Sequence, residues 1–146
     1  MVLTYSYTLA QQPAICGDWV GVFENTEISD DAEYPIKRNY KRTIRIKKIE
    51  DHYTVRMKIQ RADGSGNVSY ISGEQITSAD EYHISWMYDR GLGDSGEYHY
   101  YLYCSVTLIN GVLKYSEYWI TEYPGGGRRK WGESSNQSLY KDEGDW

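Results

Sequence analysis

Asn110-Gly111 stands between two runs of alternating apolar and polar residues, 97–109 and 112–123. This is the strongest short hairpin signal a sequence offers, because a type I′ turn needs positive φ at both central positions. With that pair at the tip, the period of two dictates the register. One face sets Leu108 opposite Leu113, Val106 opposite Tyr115, Cys104 opposite Glu117 and Leu102 opposite Trp119. The other sets Ser105 opposite Ser116, Tyr103 opposite Tyr118, Tyr101 opposite Ile120 and His99 opposite Glu122. The first face is the drier and is expected to point inward.

The rest of the chain follows the same grammar. Runs rich in Tyr, Val, Ile, Thr and Trp predict eight strands at 18–24, 40–49, 52–61, 67–76, 80–88, 97–109, 112–123 and 128–140. Glu50-Asp51 at the tip of a second hairpin sets Ile46 opposite Val55, Ile44 opposite Met57 and Arg42 opposite Ile59. Its other face opposes Arg45 to Arg56, a repulsion that calls for a nearby carboxylate such as Glu24 or Glu74. Tight connections are expected at Asp63-Gly64-Ser65-Gly66 and Pro124-Gly125-Gly126-Gly127. Segment 25–39 reads as one long loop holding at most a short helical turn, since Pro35 disfavours helix at Tyr34.

Neighbouring antiparallel strands with short turns either close into a barrel or split into a sandwich. Closure removes unpaired edges, and eight strands leave room for side chains or one small ligand. The expectation is an all-β closed up-and-down barrel, with a two-sheet β-sandwich as the alternative. The 146 residues suit a single domain, with 1–16 as an N-terminal extension and 141–146 as a tail. Five Trp and sixteen Tyr argue against a disordered chain, and a mean hydropathy of -0.72 against a membrane helix.

The net charge of -5 conceals an asymmetry, for ten of the sixteen Lys and Arg lie between Lys37 and Arg61. A face of Lys41, Arg45, Lys47, Arg56 and Lys58 beside Tyr40 or Tyr53 resembles a phosphate track. A solvated charged face is the favoured reading, and neither nucleic acid nor membrane is expected as a partner. Met1 to Ile15 lack the pattern of a signal peptide, which leaves the compartment open and tilts it toward the cytoplasm. Cys16 and Cys104 form either one disulfide or two reduced thiols, the latter favoured.

Gly17-Asp18-Trp19 at the start of the first strand is similar to the Gly-x-Trp element of lipocalins and their calycin relatives. The resemblance implies a barrel whose Trp19 closes one end against a cation of the last strand, Arg129 or Lys130. It also implies that 25–39 covers the open mouth. Lipocalins follow the barrel with a helix, whereas Gly132 to Trp146 is short and polar, so lipocalin-like is the fitting term.

Chemistry-bearing motifs are few. Gly91-Leu92-Gly93-Asp94-Ser95-Gly96 spells GxGxxG, but a strand-like run follows where a dinucleotide site needs a helix. His52, His83 and His99 have no metal-ligand spacing, although His83, His99 and Glu122 share a neighbourhood. Neither a GxSxG serine nor a Cys–His pair is present. No catalytic residue, metal or cofactor is assigned.

The inward face is more informative. Tyr98, Tyr100, Leu102, Val106, Tyr115, Glu117, Trp119 and Tyr123 share it with Tyr82, Ile84, Trp86, Tyr88 and Arg42. Buried phenols and a buried carboxylate need partners, and Arg42 is the expected partner of Glu117. A non-enzymatic barrel is therefore expected to hold a small, partly hydrophobic or amphipathic ligand through Arg42, Tyr82, Trp86, Tyr100, Glu117 and Trp119. Two other classes compete. Outward Tyr101, Tyr103, Tyr118 and Ile120 suit a protein-interaction surface, a homodimer for instance, unless 133–146 covers them. An enzyme at the barrel mouth would use Glu117 for proton transfer.

Overall fold

A computed structural model describes residues 12–72, 75–89, 99–123 and 129–142. All regular structure among them is strand. The nine strands are β1 (Gly17–Ser29), β2 (Ile36–Ile49), β3 (His52–Arg61), β4 (Ser69–Ser72), β5 (Gln75–Ala79), β6 (His83–Asp89), β7 (His99–Ile109), β8 (Val112–Glu122) and β9 (Arg129–Lys141). They form one antiparallel sheet in the order β4-β3-β2-β1-β9-β8-β7-β6-β5. Among the described residues no helix is long and apolar enough to cross a membrane.

The hairpin registers agree with the turn chemistry. Asn110 and Gly111 adopt φ of 50° and 76°, and every β7–β8 pair expected from that tip is present. Likewise β2 meets β3 with Ile46 opposite Val55 and Arg45 opposite Arg56. The carboxylate that relieves the arginine pair is Asp18, neither Glu24 nor Glu74. Asp18 lies opposite Arg45 in β1 and accepts Nε and Nη2 at 2.8 and 3.1 Å. Glu24 instead faces Lys37 at 3.8 Å, and Glu74 lies outside the described residues.

Three expectations are corrected. The sheet is strongly curled but open, not a closed barrel, and not two stacked layers. Its first and last strands pair, β1 with β9, so the break falls mid-sequence between β4 and β5. These edges are only four and five residues long, and β5 carries a register shift against β6; short, irregular edges offer little to pair with. The runs read as 67–76 and 80–88 therefore become three strands, giving nine. Third, 25–39 is no long loop. β1 continues to Ser29 because Thr26 to Ser29 are paired with β9, and β2 starts right after Pro35.

Curling brings opposite walls together. Tyr115 of β8 packs against Phe23 of β1 with the rings tilted and their centroids 5.5 Å apart, and its phenol reaches Met57 Sδ of β3 at 3.4 Å. One end is solid: Ile15, Trp19, Ile44, Ile46, Val55, Ile84, Val106, Leu113 and Leu139 are all 2% exposed or less. Trp19 seals that end, donating its Nε1–H to the Ile15 carbonyl at 2.9 Å. The cation over its ring is Lys141, 5.3 Å from the centroid, rather than Arg129 or Lys130. Because β9 runs antiparallel to β1, only the end of β9 reaches the start of β1. Arg129 sits at the opposite end, against Asp30 and Trp131.

Cys16 and Cys104 are both free thiols and buried. Cys104 lies 3.4 Å from the Tyr115 hydroxyl, and burial pushes its pKa, and that of Tyr115, far above the ordinary range.

Candidate functional site

The end of the curled sheet away from Trp19 is not filled. A cavity of about 830 Å³ opens there, within the usual size for small-molecule sites. The alternation of three strands creates its walls. Ile36, Arg38, Tyr40 and Arg42 come from β2; Glu117, Trp119 and Thr121 from β8; Asn25 and Glu27 from β1. Tyr88, Tyr100, Tyr123 and Ile71 complete the aromatic and apolar surface.

Its floor is a buried ion pair. Arg42 Nε and Nη2 donate to one oxygen of Glu117 at 3.2 and 2.8 Å, and the two side chains are 4% and 1% exposed. The guanidinium also lies over Tyr40 and Phe23, 4.9 and 5.4 Å from their centroids. Burial pushes Glu117 above the usual carboxylate range even though Arg42 opposes the shift. Burial is the largest influence on Arg42 and would lower its pKa, but Glu117 and Tyr115 together outweigh it and hold it above the ordinary value. Arg42 Nη1 is buried with no hydrogen-bond partner among the described residues, an uncompensated donor in a structure that normally satisfies such groups.

Above the floor, Trp119 lies flat because β9 carries Gly132 opposite it. A Cβ on Gly132 would collide with the Trp119 indole and stand 2.7 Å from Asn25 Oδ1. Trp119 Nε1–H donates to that same oxygen at 3.3 Å, and Asn25 Nδ2 reaches Ser134 Oγ at 3.4 Å. Tyr100 stands beside both Trp119 and Tyr88, each pair with centroids 6.3 Å apart. Burial raises its phenol well above the ordinary value of 10.0, so Tyr100 is a neutral hydrogen-bond donor at any physiological pH.

Four of the six residues expected to contact a ligand therefore meet here: Arg42, Tyr100, Glu117 and Trp119. Two do not. Trp86 lies deeper, fully packed against Tyr115 with 6.5 Å between centroids. Tyr82 is 60% exposed in the turn before β6, at the sealed end. Sequence reasoning missed Asn25, Glu27, Ile36 and Arg38 because 25–39 was read as loop. The signal was present, since Ile36, Arg38 and Tyr40 precede Arg42 at a spacing of two.

Outside, Tyr103 and Tyr118 are 43% and 40% exposed and lie side by side, tilted, with centroids 6.2 Å apart. Tyr101 and Ile120 face each other half-buried in the next row. Of the segment 133–146, the alternative cover for this patch, residues up to Lys141 instead lie in β9, hydrogen-bonded beside β8 within the sheet. His99 Nε2 bonds Asp89 at 2.7 Å, and its Nδ1 lies within hydrogen-bond distance of the Tyr101 hydroxyl, at 3.0 Å. His83 instead bonds Thr107 and Ser85, so the two histidines do not converge. No group able to hold a metal occurs among the described residues. The GxGxxG segment, Tyr98 and the Pro124–Gly127 connection lie outside them.

No protein-family model, curated protein or solved structure matches this chain.

Proposed function

We propose that this protein binds a small, partly apolar ligand, without chemical conversion, in the cavity above the Arg42–Glu117 pair, as a lipocalin-like curled barrel. The observation that carries this reading is the cavity beyond the packed core around Trp19: it leaves about 830 Å³ walled by aromatic rings and convergent polar groups, whereas the opening at the other end, among Lys48, His52, Tyr53, Ile76 and Glu81, is a shallower and more polar depression. A fold needing only stability would fill both ends, because unfilled core volume is costly. The engagement of Glu117 by Arg42 favours a structural carboxylate over one that transfers protons.

Native mass spectrometry and thermal denaturation against a panel of hydrophobic metabolites test the proposal. A ligand at ~100 times its Kd adds about 2.7 kcal/mol to stability, which raises Tm by several degrees. Thr121→Phe, which places a ring in the cavity, is expected to abolish both the bound mass and the Tm shift. Binding that persists unchanged in Thr121→Phe, or no bound mass across the panel, would refute the assignment.

The exposed Tyr103–Tyr118 pair supports a second reading, a contact surface for another copy of the chain. Sedimentation at several concentrations separates the two. A monomer indifferent to Tyr103→Glu and Tyr118→Glu removes the second reading and leaves the first untouched.

A further inference from the structure

Among the described residues the charges lining the cavity are unevenly matched: Arg38, Arg42 and Lys130 stand against Glu27 and Glu117. The whole chain is acidic, with a net charge of -5, so this local excess of cations runs against the background. It is also located at the rim, not on the floor. Arg42 and Glu117 neutralise one another at 2.8 Å in full burial. At the rim, Arg38 Nη1 approaches Glu27 Oε2 at 3.7 Å, a loose pair that is partly exposed. Lys130 has no ion pair or hydrogen bond from its ammonium among the described residues, yet it is half-buried and lines the cavity.

Strand register explains the arrangement. Glu27 of β1 sits opposite Gly132 of β9 and Ile36 of β2. Lys130 and Arg38 each lie two residues further along those neighbouring strands, on the same inward face, so both flank one carboxylate diagonally. Arg38 pairs loosely with Glu27 on one diagonal and Lys130 on the other makes no ion pair among the described residues, so one positive charge is left over.

We infer that the ligand is an amphipathic monoanion, an aromatic or aliphatic body ending in one carboxylate-like group that pairs with Lys130 at the rim. Its body lies against Tyr100 and Trp119, and the neutralised floor takes no charge. A cleft whose surplus charge has one sign attracts and orients a counter-ion of the other. This rests on the cavity-binding reading above and specifies the chemistry that the site selects.

Isothermal titration calorimetry with 6-phenylhexanoate, its primary amide and 6-phenylhexylamine isolates the end group on a constant body. The carboxylate is expected to bind about fivefold or more tightly than the amide, and the amine most weakly, with the difference shrinking as salt is raised. In Lys130→Gln the carboxylate and amide should become equal, while the amide keeps its wild-type affinity to within about twofold. Equal affinities in the wild type, or a carboxylate preference that survives Lys130→Gln, would overturn the inference and leave the cavity reading standing. Failure of all three probes to bind would overturn both.

Discussion

Arg42 and Glu117 show what a buried charge demands of the residues around it. Each ion lost most of its hydration to reach the interior, and an ion pair recovers that loss only through good geometry. Here the geometry is two guanidinium hydrogens on one carboxylate oxygen, with Tyr40 and Phe23 against the cation. Removing one partner strands the other. Arg42→Met is expected to cost about 3–5 kcal/mol in urea denaturation, and Arg42→Met with Glu117→Leu to recover most of that loss. If the double variant were as unstable as the two single losses combined, the pair would not be the coupled unit described here. Both residues were legible from sequence, because Arg42 before one hairpin tip and Glu117 after another stand at even spacings that place them inward. The orphaned Nη1 of Arg42 was not, since side-chain satisfaction depends on three-dimensional neighbours that alternation does not specify.

At the scale of strands, β9 determines how the two ends of the interior differ. Asn136 takes a positive φ of 52°, the β8–β9 register shifts between Tyr115 and Glu117, and Asn136 N–H donates to Ser116 Oγ at 3.0 Å. Such a bulge bends its strand. On one side of it Leu139 packs into the solid end; on the other Ser134 and Gly132 face the cavity floor and Trp119. Nothing in the run Ser134-Ser135-Asn136-Gln137 announces a bulge, because small polar residues fit either face. The strand ends at 25–39 are hidden for a related reason: Pro35 and the polar run around it read as a loop, yet β1 and β2 extend there as a ribbon flanked by β9. The break between β4 and β5 was equally hidden, as an alternating run does not reveal how few of its residues find partners. Each of these strands has one unpaired edge, so hydrogen exchange of their amides is expected to run about tenfold or more faster than in β8, which is paired on both sides. Equal protection across β4, β5 and β8 would mean that the sheet closes in solution.

For the whole molecule, the account rests on an interior divided into a sealed half and an open half. Trp19 and Trp86 belong to the first, each no more than 2% exposed, and Trp119 borders the second. All-β architecture and the inward aromatic face were readable from turn signals and a period of two. The division was not, because it depends on where Gly132 lets an indole lie flat and where the sheet fails to close. Indole N–H signals distinguish the two halves directly. In a ¹⁵N-resolved NMR titration with 6-phenylhexanoate, the Trp119 Nε1–H resonance is expected to move saturably while those of Trp19 and Trp86 stay in place. Saturable movement of Trp19 and Trp86 with Trp119 unchanged would place the ligand elsewhere and contradict the divided interior.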